Sequence, residues 1–266
     1  MSGFHLVKVY CRWLKLWWVS FVVVMVTACG SRFPQPDHFK PDTSRYHRAM
    51  ESRGKTIKSL SGELAVELWE GSKRVAIRQL FASCPPHQLR MDTLTPFEQP
   101  LATLIYHDTL LALHDIEHAR FAVGEASADN FERLTRVKIR PSDMSALLSG
   151  QIPRLMTQGG VVVWDEEQGR SVLTLEGQDE RQLIYFDESK LTPRVMEIYR
   201  QGELLLRLFL ARYTEQEPYL PQRLRFEIPS KKIRVEIELK DFTINPELPD
   251  VAFEIKAPPG LSVSNL

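Results

Sequence analysis

Cysteine is scarce in this 266-residue chain: Cys11, Cys29 and Cys84 are the only three, and no two form a CxxC pair. Neither sign of charge is in excess, with 34 basic residues against 34 acidic. A chain so balanced lacks the basic footprint of a nucleic-acid binder. There is no GxSxG, no P-loop and no HExxH, so the sequence signatures of esterases, nucleotide hydrolases and zinc proteases are absent. There is no internal repeat and no low-complexity segment. A membrane-spanning helix needs roughly 20 apolar residues. The apolar run Leu16–Ala28 (LWWVSFVVVMVTA) falls short of that unless its flanks are pressed into service.

That run sits behind a basic opening of His5, Lys8, Arg12 and Lys15 and runs into Val26-Thr27-Ala28-Cys29-Gly30. A basic start, a short apolar centre and small residues at a cut define a secretory signal, here residues 1–28. The stretch VTAC resembles the lipobox of bacterial lipoproteins, with Val26 where Leu is commonest. The resemblance implies cleavage before Cys29 and acylation of that residue. Two or more acyl chains make anchoring stable. Gly30 and Ser31 follow with no Asp beside the cysteine, which resembles an outer-membrane address. On that resemblance Cys11 would leave with the signal and Cys29 would be lipidated, so Cys84 would have no partner for an internal disulfide. A spare thiol in an exported chain is notable, but Cys84 in SCPP, at a strand end, reads rather as a small packed residue. Without the signal the balance is 31 basic against 34 acidic.

Residues 29–41, with three prolines in GSRFPQPDHFKP, read as a lipidated, semi-extended tether,. A helix is expected over Asp42–Lys58, with Tyr46, Ala49, Met50 and Ile57 on one side and Gly54 weakening its end. Period-two alternation then dominates. In Leu60–Trp69, Leu60, Leu64, Val66 and Leu68 share a face; next, Val75, Ile77, Gln79 and Phe81 alternate with Arg74, Ala76 and Arg78. Further strands are expected at 89–91, 101–106, 110–114, 171–175, 182–186, 194–200, 203–212, 223–228 and 232–241, with one more through Val251, Phe253 and Ile255. In 232–241 one face is Ile233, Val235, Ile237 and Leu239, the other all charged, the pattern of an antiparallel strand with one wet side. Two helical pieces interrupt: Ala126–Leu134, and Ser142–Ser149 with Ser142 as cap and Gly150 as stop.

The fold class expected is mainly β (α+β), a single domain over residues 42–266. About 10–11 antiparallel strands, each with a long apolar face, must bury that face. Few helices, placed early and in the middle, suit a curled open half-barrel with a helical lid over an apolar cavity. The sequence does not separate an empty cavity from a filled core. The candidate cavity residues are Leu64, Val66, Leu68, Val75, Ile77, Leu89 and Met91.

The segment TPFEQP (residues 95–100) places a large ring, Phe97, in what reads as a loop. On the residues alone the ring either tucks back onto the sheet edge or stands out as an apolar tip. Signal, lipobox, helix and twisted sheet with an early apolar loop together resemble the LolA/LolB lipoprotein-localisation superfamily. Arg78–Leu104 (RQLFASCPPHQLRMDTLTPFEQPLATL) is closest to LolB-like bacterial lipoproteins of unassigned role. In that family a loop of the form L-T-N-P-L-G joins the third and fourth strands, and its exposed Leu enters the membrane. Leu94-Thr95-Pro96-Phe97-Glu98 matches loosely, with Phe97 in place of the Leu and Pro96 stiffening the loop. Glu98 and Gln99 depart from the small residues that follow there. Ala146–Pro153 resembles the family's helix ending in L-G-x-P, and residues 246–266 extend past the family pattern.

The resemblance implies an open β-barrel with helices as lid. It implies a non-enzymatic lipoprotein, anchored at the outer membrane and facing the periplasm. Such a protein would bind acyl chains and accept or insert lipoproteins or lipids. Its implied partners are the outer-membrane bilayer, acylated lipoproteins or lipids and a periplasmic LolA-like carrier; the chain would act as a monomer, without cofactor or nucleic acid. The other reading is an assembly lipoprotein that braces an envelope or secretion complex with the same fold and no cargo. Metal chemistry has little to stand on: His114 and His118 flank a strand end and turn, where they need not converge, and Asp165-Glu166-Glu167 reads as a hairpin tip.

Overall fold

The computed structural model describes residues 32–266 apart from Met156, Gln158 and Glu217. The expected signal, the expected lipidation site Cys29, and Gly30-Ser31 lie outside the described residues. Among the described residues no helix is long and apolar enough to cross a membrane. Contacts divide the chain into two units, and residues 32–39 with Trp164–Arg170 form the smaller. Here the Phe33 amide donates to Glu166 O at 2.7 Å. Trp164 Nε1 donates to Phe33 O at 2.9 Å, and the Phe39 and Trp164 rings meet edge-on at 5.8 Å. The acidic run is a turn: Asp165 Oδ1 accepts from the amides of Glu167 and Gln168.

The larger unit, Lys40–Val163 with Ser171–Leu266, opens with helix α1 (Thr43–Thr56), whose N-cap Asp42 accepts from Ser44 N at 3.0 Å. Such a cap satisfies one of the amides a helix start leaves unpaired. Tyr46, Met50 and Ile57 are buried as the 3.6-residue spacing requires,. Six antiparallel strands follow: β1 (Leu60–Glu70), β2 (Lys73–Cys84), β3 (Gln88–Leu94), β4 (Pro100–His107), β5 (Leu110–Asp115) and β6 (Arg120–Glu125). Helices α2 (Ala128–Thr135) and α3 (Pro141–Leu148) cross to the far edge. From there β7 (Val161–Asp165), β8 (Arg170–Glu176), β9 (Glu180–Asp187), β10 (Thr192–Arg200), β11 (Glu203–Tyr213), β12 (Pro221–Ile228) and β13 (Ile233–Ile244) meander back. β13 closes on β1, and β14 (Val263–Asn265) adds to β6 in parallel.

The result is one curled sheet of fourteen strands with β14 and β7 at its edges, not closed into a barrel. It is mainly β with three helices among the described residues, an open half-barrel. Three strands beyond the expected set are β6, β7 and β14. All are short and lie at or beside the sheet edges, where alternation covers too few residues to register. The strand expected through Val251 and Ile255 is instead a 3-10 turn at Asp250–Phe253, which buries Phe253 and leaves Val251 65% exposed. Ser142 does not cap α3 either: Pro141 takes the first helical position with Arg140 before it, a place suited to proline's fixed φ and missing N–H.

The two meanders join at β1–β13, where the register slips between Gly62 and Leu64. A Cβ on Gly62 would stand 2.4 Å from Asp241 O and 2.8 Å from Phe242 Cα. Both are backbone atoms of the partner strand and cannot swing away. Gly62→Ala is therefore expected to cost about 2–3 kcal/mol as overpacking, read as a shifted urea midpoint with unchanged slope; an unshifted midpoint would show that the seam relaxes freely.

Candidate functional site

The inner face of the sheet is apolar because even-numbered β1 residues pair with odd-numbered β2 residues on one side. Val66 lies opposite Ile77, and Leu68 opposite Val75. Phe81 lies opposite Met91 on β3. α3 covers part of this face and is pinned there by a buried polar contact. Ser145 and Ser83, both fully buried, lie 2.7 Å apart Oγ to Oγ and 3.1 and 3.3 Å from Gln88 O, so one hydroxyl donates to the other and the second donates to Gln88 O. Buried hydroxyls are costly unless paired, so this contact fixes where α3 sits.

Beside α3 the face is not filled. A cavity of about 280 Å³ remains, just under the roughly 300–1,000 Å³ of small-ligand sites. Its sheet wall is Val66, Leu68, Ile77 and Met91, extended by Val235 and Ile237 on β13 and by Ala102, Leu104 and Leu113 on β4 and β5. Leu134, Val137 and Met144 from the helical segment form its roof. The polar lining is limited to Gln79, Thr93, Thr135 and Arg136. Of the seven candidates read from the sequence, Val66, Leu68, Ile77 and Met91 are brought together on this wall. Leu64 and Leu89 are fully buried in the packed part of the core. Val75, opposite Leu68 at the end of the wall, is 52% exposed and does not line the cavity.

Register sets which loops surround the cavity end. Arg78 pairs with Leu94, and Ala102 with Asp115. The Gly71-Ser72 turn, the Thr95–Gln99 loop and the Ile116–Ala119 turn therefore project from one end of the sheet. Three exposed apolar side chains gather there: Phe97, Val75 and Ile116. Phe97 is the most exposed, at 86%. Its loop is braced around one side chain. Thr95 Oγ1 accepts from Phe97 N at 3.2 Å and Gln99 N at 3.0 Å. Thr95 N donates to Gln99 O at 2.8 Å, and Thr95 O accepts from Glu98 N at 3.0 Å. Glu98 takes a φ of 63°, an uncommon conformation for a non-glycine residue, and pairs with Arg78 at 3.0 Å. Pro96 precedes the ring with its φ restricted. The ring stands clear of the sheet edge.

The remaining candidates lie elsewhere. Cys84 ends β2 half-buried; burial, and secondarily the charge of Asp250, pushes its thiol above the usual range, the opposite of an activated nucleophile. His118 Nδ1 lies 3.0 Å from Asp115, whereas His114 lies against the Phe121 ring. Among the described residues no three His, Cys, Asp or Glu side chains gather as metal ligands. Sequence reasoning expected a helical lid but missed its lining residues Leu134, Val137 and Met144, and Arg136. The one available signal was Gln79, a polar residue in the otherwise apolar series Val75, Ile77, Phe81.

No family model matches the sequence, and no curated protein does. Solved structures do match. An outer membrane lipoprotein-sorting protein domain from Vibrio parahaemolyticus superposes with a TM-score of 0.56 at 13% identity, covering 79% of this chain and 94% of that one. A LolA superfamily protein from Nitrosomonas europaea gives 0.54 at 15% identity, covering 82% and 99%. A DUF1329 family protein from Desulfovibrio piger gives 0.58 at 14% identity, covering 81% and 98%. The open curled sheet with its helices is thus a LolA/LolB-like fold.

Proposed function

We propose that this chain is a lipid-anchored envelope protein that holds acyl chains in its cavity and accepts or inserts lipoproteins or lipids at the outer membrane, without covalent chemistry. The observation that carries the reading is the apolar cavity roofed by α2 and α3. The sorting and LolA-superfamily names of the structural neighbours support it, as do the lipobox-like VTAC and the exposed ring at the cavity end of the sheet. Magnitudes fit a carrier. Each buried methylene returns about 0.8 kcal/mol, so a chain with roughly six methylenes inside is held by about 5 kcal/mol. That is enough for uptake and weak enough for release. A cavity of about 280 Å³ suits one chain and not three at once.

Phe97 would dip into the bilayer interface. Burying one ring returns about 1.5–3 kcal/mol, too little to hold a protein on a membrane, so permanent anchoring falls to acylated Cys29 and the loop makes a transient contact. Native mass spectrometry on residues 30–266 from the periplasm tests the cavity: a mass excess of one acyl-bearing molecule is expected. A clean apo mass, repeated with acylated peptide added, would point instead to the assembly subunit. Phe97→Glu should fold as wild type, within about 0.5 kcal/mol as for exposed sites generally, keep its bound lipid, and transfer lipoprotein to vesicles at least tenfold more slowly. Transfer at the wild-type rate would remove the loop from the mechanism.

A further inference from the structure

The cavity has one charged lining residue, Arg136. It is the C-cap of α2, held in the left-handed region at φ 67°, with its amide donating to Glu132 O at 2.8 Å. Its backbone is therefore fixed while its exposed guanidinium is left at the cavity rim. The cations around it have partners. Lys138 pairs with Asp129 at 2.6 Å and Arg140 with Asp143 at 3.0 Å; Lys231 pairs with Glu132, and Arg133 donates to Asn130 Oδ1. Apart from that amide, Arg136 has no hydrogen bond or ion pair among the described residues, so its guanidinium is unpaired.

A second, independent observation lies inside. Gln79 is more than nine-tenths buried and lines the same cavity. Its Nε2 donates to Thr93 Oγ1 at 3.0 Å, and its Oε1 has no partner. Turning the amide round only exchanges which of its two polar atoms is orphaned. A buried amide left half-satisfied costs roughly 1–3 kcal/mol, unless a ligand's polar group completes it. One unpaired planar cation at the rim, one unpaired polar atom within and apolar walls between describe an amphiphile.

We propose that the cavity selects anionic single-chain amphiphiles: the chain lies along Ile77, Met91 and Leu134, a phosphate or carboxylate head meets the fork of Arg136, and a hydroxyl or amide near the head meets Gln79. Guanidinium matches both anions bidentately. This rests on the acyl-chain reading above and adds which chains are taken.

The test uses the whole mature chain, residues 29–266 with Cys29→Ser so that no lipid of its own competes, titrated calorimetrically with dodecyl phosphate, laurate and monolauroyl glycerol. Dodecyl phosphate or laurate should bind at least tenfold more tightly than the neutral monolauroyl glycerol, and the stronger of the two identifies the head as phosphate or carboxylate. Arg136→Gln should bring the ratio to about one without weakening the neutral ligand. Arg136→Gly, which keeps the left-handed cap, should do the same. An unchanged ratio in both variants, or no anionic preference in the wild type, would overturn the inference while leaving the cavity's role intact. Failure to bind all three would overturn the acyl-chain reading, and this inference with it.

Discussion

Glu188→Ala is expected to cost about 3–5 kcal/mol and to loosen helix α1 from the sheet. Glu188 lies in the β9–β10 turn, 7% exposed. Its Oε2 accepts from Tyr46 Oη at 2.7 Å and from Ser171 Oγ at 2.7 Å, and its Oε1 pairs with Arg45. Arg45 is partly exposed and can turn to water when the carboxylate is gone. Tyr46 and Ser171 are fully buried and cannot. Two orphaned hydroxyls at about 1–3 kcal/mol each dominate the loss, in line with the 3–5 kcal/mol typical when one partner of a buried pair is removed. At about 2–4 °C per kcal/mol for a domain of this size, the melting temperature should fall by roughly 10 °C. Glu188→Gln keeps an acceptor without the charge and should lose about half as much. A loss below about 1 kcal/mol for the alanine variant would show that α1 is held by its apolar face alone.

The same contact predicts an alkaline limit. Burial, reinforced by the Glu188 charge and opposed by Ser171, raises the Tyr46 hydroxyl to about 12. The folded value lies above the ordinary 10, so this contribution to stability is complete below pH 10 and is lost as pH rises through about 12. Tyr46→Phe should flatten that part of the stability curve and leave the rest of its shape.

Period-two alternation made most of the sheet legible, because one face is apolar and the other charged over whole strands. In β13, residues Ile233, Val235, Ile237 and Leu239 are all buried. The edge strands were not legible: β14 has three residues and β7 five. The site was legible as a face but not as a depth. Leu64 and Val66 share the face, yet Leu64 is packed and Val66 borders empty space, because α3 fills one half of the concavity and not the other. Nothing within a strand reports where a helix from elsewhere in the chain will sit. Leu134, Val137 and Met144 were missed for the same reason: they lie on the short α2, just beyond it and on α3, and no one of these segments reads as a roof by itself. Arg136 became visible only once its neighbours were seen to be paired.

Ala102→Phe is expected to abolish acyl-chain uptake while leaving the fold as stable as wild type, or up to about 1–2 kcal/mol more so, as cavity filling often does. Ala102 lies on β4 opposite Thr93 on β3, facing the cavity beside Leu104. A phenyl ring there enters existing space instead of displacing packed atoms, and an aromatic residue suits a strand. Ala76→Phe is the matching control: Ala76 is exposed on the opposite face of β2, next to Ile77 in sequence but outside the cavity. The control should retain the bound mass seen by native mass spectrometry, and Ala102→Phe should run apo. Stability and uptake together decide between the two readings of this chain. If Ala102→Phe is markedly less stable, the space is not open in solution and the half-barrel has a filled core. If it is stable and still carries lipid, the chain binds elsewhere. If it is more stable and the wild type also runs apo with acylated peptide present, the cavity is a packing gap of an assembly subunit. Only loss of uptake at undiminished stability leaves a built and accessible site, in which the free energy that filling would supply is supplied instead by cargo.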